Sequence, residues 1–159
     1  MKHWVMDYET LSNCFTGVFE HYKTNESKTF VVHDLRNDFD KFIDFLKENV
    51  NNKEWHISYN GLAFDGQITQ YIIDNHYLWS NLSGCEIANI IYKYAQYCIN
   101  KSNNKGFMDY PIWKMKIGQI DLFKLHHWDN PAKRSSLKWI QYSMDWQNIL
   151  EMPIDHTAE

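Results

Sequence analysis

Three short runs of strand character precede any helical pattern in this chain, and that order constrains the fold more than any other feature. His3 to Thr10 is apolar-rich and ends in acids. Residues 13 to 22 carry Phe15, Val18 and Phe19 among small residues, and Lys28 to His33 is rich in β-branched and aromatic side chains. Between the second and third runs, Thr24-Asn25-Glu26-Ser27 reads as a turn. The chain is therefore expected to open with three antiparallel strands.

From there the period changes. Phe39, Phe42, Ile43, Leu46 and Val50 recur at helical spacing, with Asp34 as the expected cap and Asn51-Asn52 as the stop. Trp55 to Tyr59 reads as a fourth strand, Leu62 to Leu78 and Cys85 to Ile99 as helices, and Gly118 to Phe123 as a fifth strand leading into a helix. A last helix is expected over residues 136 to 149. Strands followed by alternating helices and strands make an α/β domain with a mixed sheet flanked by helices. No repeat or linker divides the 159 residues, so one domain is expected.

The 16% aromatic content, with seven Trp and ten Tyr, exceeds what one core of this size needs. Part of it is expected on a binding surface, as stacking platforms for bases, or under a further domain of a larger parent. Tyr92, Tyr94 and Tyr97, on an apolar helix, are expected to pack. The net charge of −4 argues against a binder that relies on neutralising phosphates. It is compatible with a cluster of acidic metal ligands, whose bound ions reverse the local sign. Cys14, Cys85 and Cys98 are too scattered for a disulfide framework and are expected buried and reduced. No apolar run reaches transmembrane length and no signal-peptide pattern opens the chain, so the expectation is a cytoplasmic protein away from the membrane.

Two acidic constellations stand out. Asp7-Tyr8-Glu9 closes the first strand, and alternation places both acids on one side of it, about 6–7 Å apart. Such a pair can hold and share an oxygen-loving divalent ion, or it can be a solvated strand end. In Asn60-Gly61-Leu62-Ala63-Phe64-Asp65, Asn60 follows a strand and Asp65 falls in the first turn of a helix. Helix-start chemistry alone also favours an acid there.

Together, Asp-x-Glu and Asn-x-x-x-Phe-Asp, 58 residues apart from Asp7 to Asp65, resemble the first two motifs of the DEDD (DnaQ-like) 3′–5′ exonucleases. The likeness spans essentially the whole chain and is nearest to proofreading domains of phage and viral replication proteins. It implies a ribonuclease-H-like fold and two-metal hydrolysis of terminal phosphodiesters by Mg²⁺ or Mn²⁺, with Asp7, Glu9 and Asp65 as metal ligands and catalytic residues. Thr10, Asn60 and Phe64 are the implied contacts to the nucleic acid. The implied substrate is a single-stranded DNA 3′ end, with RNA open, and the implied partner is a polymerase domain in the parent protein.

Asp121, in Gly118-Gln119-Ile120-Asp121-Leu122-Phe123, stands where a strand feeds a helix and is expected to be an N-cap rather than a fourth ligand. Adjacent His126 and His127 point apart in regular structure and are expected to belong to a polar loop. Lys133-Arg134 precedes a helix and is a candidate phosphate contact. The family's third motif, Tyr-x-x-x-Asp or His-x-x-x-x-Asp, is not found: Tyr142 to Asp145 and His126 to Asp129 have the wrong spacing. The chain is therefore expected to be a domain truncated at its C-terminus. The alternative function is a catalytically incomplete module of the same fold that binds nucleic acid or a protein partner.

Overall fold

The computed structural model describes residues 3–127 and 135–145. Six strands form one mixed sheet: β1 (His3–Thr10), β2 (Phe15–His21), β3 (Ser27–His33), β4 (Arg36–Asn37), β5 (Trp55–Ser58) and β6 (Gly118–Asp121). Their order is β4-β3-β2-β1-β5-β6. The first four pair antiparallel, and β1, β5 and β6 run parallel. The helices are α1 (Phe39–Asn51), α2 (Asp65–Asn75), α3 (Gly84–Asn103), α4 (Leu122–His126) and α5 (Leu137–Ser143), with 3-10 turns at His76–Trp79 and Ile112–Lys114. This mixed sheet flanked by helices is the expected α/β class and is compatible with a ribonuclease-H-like fold.

Strand alternation decides which face carries the core. Trp4, Met6 and Tyr8 of β1 are buried, whereas Val5, Asp7 and Glu9 point the other way. Phe15 and Phe19 of β2 and Phe30 and Val32 of β3 join the buried face. α1 lays Phe42, Phe45 and Leu46 on it, and Phe42 meets the rings of Tyr8, Phe15, Phe19 and Phe30 with centroids 5.2–6.0 Å apart. Burying each Phe contributes about 2–3 kcal/mol. Gly17 makes this packing possible, because a Cβ there would meet the ring of its cross-strand neighbour Tyr8 at 3.0 Å. The Tyr8 hydroxyl shares a 2.8 Å hydrogen bond with Thr69, which places α2 on the same face.

One buried polar cluster lies within this core. Trp4 Nε1 donates to Glu54 at 2.8 Å. The Asn49 amide donates to Glu54 at 2.8 Å and accepts from His56 Nε2 at 3.0 Å. His56 is fully buried, and burial pushes its pKa down to about 3.

Several expected boundaries shift. Asp34 caps α3 rather than α1: its Oδ1 accepts the N–H of Cys85 at 2.8 Å, beside a capping box made by Ser83 and Glu86. The N-cap of α1 is Asp38, which makes no side-chain cap bond and pairs instead with Arg36 and Lys41. The strand expected over 55–59 ends at Ser58, and the helix expected over 62–78 starts at Asp65 and gives way to a 3-10 turn at His76. The strand expected to run to Phe123 ends at Asp121, where α4 begins. Of the last expected helix, Leu137–Ser143 is helical with Ser136 as its cap, and residues 146–149 lie outside the described residues. Only Cys98 of the three cysteines is buried; Cys14 and Cys85 are half-buried, because each sits where a loop meets a helix or strand end. Tyr94 packs as expected, stacked on Tyr71 at 3.9 Å, whereas Tyr97 touches the Tyr94 ring at 5.8 Å between centroids and is 43% exposed. Among the described residues no helix is long and apolar enough to cross a membrane.

Candidate active site

In a sheet with parallel strands, ligands bind beyond the carboxyl ends of those strands. Here β5 and β6 end together, with Ser58 opposite Asp121, while β1 continues past the end of its pairing with β5 at Val5–Ile57. Asp7, still paired with Val18 of β2, therefore lies past the end of β5, beside the turn that leads from β5 into α2.

That turn, residues 59–64, is fixed by close backbone contacts. Asn60 adopts φ 65°, a left-handed conformation that Asn tolerates well. Gly61 allows the turn to fold onto β5, because a Cβ there would lie 1.9 Å from Ser58 Oγ. Gly61 O accepts from Gly66 N at 2.7 Å, and Gly66 also has no room for a Cβ, which would come within 2.9 Å of that same oxygen.

Asp121 holds the other side of the turn. Its Oδ1 accepts the N–H groups of Asn60 and Phe123, each at 2.9 Å, and of Lys124 at 3.4 Å. Its Oδ2 accepts that of Leu62 at 3.2 Å. The cap reading of Asp121 holds, and the carboxylate does more than cap: it ties the turn after β5 to the start of α4. Four backbone donors occupy its oxygens, which is the environment of a structural anchor rather than of a ligand awaiting a cation.

Asp65 is the first residue of α2 and is 3% exposed. Its Oδ1 has no hydrogen-bond partner, nor has the nearby Ser58 Oγ. Burial, followed by the negative charge of Asp7, pushes the Asp65 pKa up to about 8. The backbone N–H groups of Asp65 and Tyr8 pull the other way, and Asp121 adds a weaker upward push. Asp7 is exposed as a whole residue, but its carboxyl lies deep enough for burial to raise its pKa above the usual carboxylate range, against the Tyr8 N–H.

A cleft of about 340 Å³ opens over this pair. It is lined by Asp7, Tyr59, Asn60, Ala63, Phe64 and Asp65, and on the far side by Ile99, Ser102 and Asn103 at the end of α3. The structure thus brings together Asp7, Asn60, Phe64 and Asp65. Glu9 lies on the same outward side of β1 as Asp7, and Thr10 ends that strand opposite Phe15; neither lines the cleft. Among the described residues no three His, Cys, Asp or Glu side chains gather into a group that could hold a metal ion. Asp7 and Asp65 are a pair of oxygen donors whose mutual repulsion and orphaned oxygen suit a hard divalent cation.

The α3 wall was not visible in the sequence, since Ile99, Ser102 and Asn103 belong to the end of an ordinary amphipathic helix and only the tertiary fold carries them to the acids. Tyr59 had a sequence signal, its adjacency to Asn60. Its hydroxyl donates to the Ser135 carbonyl, and its ring packs edge-on against Phe123. His127, expected in a polar loop, is buried: it stacks on Phe123 and accepts the Ser135 N–H at 2.8 Å. Trp128, Asp129, Lys133 and Arg134 lie outside the described residues. No family model matches this chain, and no curated protein matches it by sequence.

Proposed function

We propose that this cleft belongs to a metal-dependent 3′–5′ exonuclease domain of the DEDD class, acting on the end of a single strand, with DNA as the preferred substrate. The observation that supports it most is the pairing of Asp7 with Asp65 past the end of β5, where one buried Asp65 oxygen lacks a partner. Asp7, Glu9 and Asp65 would hold Mg²⁺ or Mn²⁺, two ions in the full site. When bound, such ions lower the pKa of a water and offset the charge that develops on the leaving oxygen.

The chain's own residues supply position. Asp121 fixes the turn that presents Asp65. Phe64 and Ile99 give the cleft apolar surface against which a terminal base can rest, and Asn60, Ser102 and Asn103 offer polar groups to its sugar and phosphate. Thr10, at the end of β1 and outside the cleft lining, would contact the strand beyond its terminal nucleotide. A polymerase domain in the parent protein is the partner that fits this reading.

A second reading, a binding module of the same fold without turnover, draws support from one observation: the described residues pair two carboxylates but gather no three-ligand group. One experiment separates the two. A 5′-labelled single strand is incubated with the protein and Mn²⁺, in parallel as DNA and as RNA. Progressive shortening from the 3′ end, abolished in Asp7→Ala and Asp65→Ala, is the expected result. Strand binding with no shortening, or shortening that both variants retain, overturns the exonuclease reading.

A further inference from the structure

Residues 104–117, between α3 and β6, are bolted down and yet hold two large aromatic side chains out in solvent. Gln67 grips Tyr110 in both directions: its Nε2 donates to Tyr110 O at 2.8 Å, and its Oε1 accepts from Tyr110 N at 3.0 Å. Asp109 accepts from Lys101 Nζ at 2.5 Å and from the Tyr97 hydroxyl at 3.1 Å. Lys116 N donates to Gln70 at 2.7 Å, and its Nζ pairs with Asp74 at 2.7 Å. Phe107, between Asp109 and Gly106, whose N–H donates to Lys101 O at 2.8 Å, is 95% exposed, and Trp113, between Tyr110 and Lys116, is 80% exposed.

The segment begins at the rim of the cleft. It leaves α3 directly after Ser102 and Asn103, which line the cleft, and its clamp Gln67 also donates to Leu62 O at 2.8 Å, in the turn that leads to Asp65. The aromatics are interleaved with cations: Lys105 and Lys114 are both exposed, each within two residues of a ring. In a chain of net charge −4 this is a local reversal of sign next to two acids. Exposed rings on an already ordered backbone lose little further entropy on binding. Rings alternating with ammonium groups suit unpaired bases and the phosphates between them, whereas a duplex keeps its base faces stacked and hidden.

We infer that Phe107 and Trp113 form a stacking platform for an unpaired nucleic-acid strand on its way to the cleft. The inference deepens, and rests on, the reading of the cleft as a 3′-end site.

The test is fluorescence anisotropy of a labelled oligothymidylate in EDTA, where nothing is cut. Phe107→Ala and Trp113→Ala are each expected to weaken binding roughly tenfold, while Phe107→Tyr and Trp113→Phe bind like the parent. A duplex of the same length should bind at least as weakly as the alanine variants. Because both side chains are exposed, melting temperatures should not move. Unchanged affinity in both alanine variants, equal affinity for the duplex, or no single-strand binding at all overturns the platform. The two readings fail separately. Aromatic-dependent binding in a protein that never shortens a strand with Mn²⁺ sinks the hydrolytic reading and upholds the platform. Metal-dependent shortening whose KM ignores both alanine substitutions sinks the platform alone.

Discussion

Asp121 Oδ1 accepts the backbone N–H of Asn60 at 2.9 Å, across 61 residues of sequence, and this bond joins the end of β6 to the turn that presents Asp65. The turn after β5 thus depends on a carboxylate from the neighbouring strand. With its further bonds to Leu62, Phe123 and Lys124, Asp121 is the residue on which the second acidic motif is built.

Asp121→Asn is expected to destabilise the protein by about 2 kcal/mol, as hydrogen bonds to a buried charged acceptor are worth more than neutral ones. The amide oxygen can keep one side of the network, but the amide nitrogen then faces an N–H donor. Urea unfolding checks this. Mn²⁺ affinity should fall far less than in Asp65→Asn. An equal loss of Mn²⁺ affinity in the two variants would make Asp121 a ligand instead.

Stability should depend on pH in a defined window. Without a divalent ion, burial and Asp7 hold the Asp65 pKa up at about 8, against 3.8 ordinarily. The folded state therefore keeps a proton that the unfolded chain has lost. That contribution is complete below pH 3.8 and disappears as the pH rises through about 8. His56 acts oppositely: burial lowers it from 6.5 to about 3, so its contribution is complete above pH 6.5 and lost as the pH falls. The two slopes oppose each other between 3.8 and 6.5, and only the Asp65 slope remains above. In EDTA, stability should drop by about 2 kcal/mol between pH 6.5 and 8, at ~1.4 kcal/mol per unit. Asp65→Asn should flatten that drop. A flat profile in the parent chain would mean that Asp65 ionises normally.

The same proton gives a signature of metal binding. A carboxyl still protonated at pH 7 must release its proton when a cation takes its place. Calorimetric titration with Mn²⁺ at pH 7, in buffers of different ionisation enthalpy, should show release of between half and one proton per protein. Asp65→Asn should both weaken binding and remove the buffer dependence. Tight binding with no proton release would place the cation elsewhere.

Much of this arrangement was legible before the fold was known, and the limits are instructive. That Asp7 and Glu9 share one side of β1 followed from a two-residue period, and the place of Asp65 in the first turn of a helix from local turn chemistry. The cap role of Asp121 followed from a strand meeting a helix. Its bonds to Asn60 and Leu62 did not, because they arise from β5 and β6 lying side by side, a pairing that no local pattern encodes. Asp34 shows the same limit. A capping residue is visible locally, but whether it serves the next helix or one 51 residues on is decided by how α3 meets β3.

The turn should be intolerant of a single methyl group at Gly61. A Cβ there would lie 1.9 Å from Ser58 Oγ and 3.1 Å from Ser58 Cβ, so the strand end or the turn must move. Overpacking of this kind costs about 1–3 kcal/mol, and here it also displaces the backbone that leads into Asp65. Gly61→Ala is expected to lower both stability and Mn²⁺ affinity. Ser58→Ala removes the nearer of the two clashing atoms, and that hydroxyl has no hydrogen bond to lose. The double variant should therefore be more stable than Gly61→Ala alone, and a double-mutant cycle should give a favourable coupling of about 1 kcal/mol. If the two changes are simply additive, Gly61 is not held against Ser58, and the constraint on the turn lies in the Gly66 contact with Gly61 O instead.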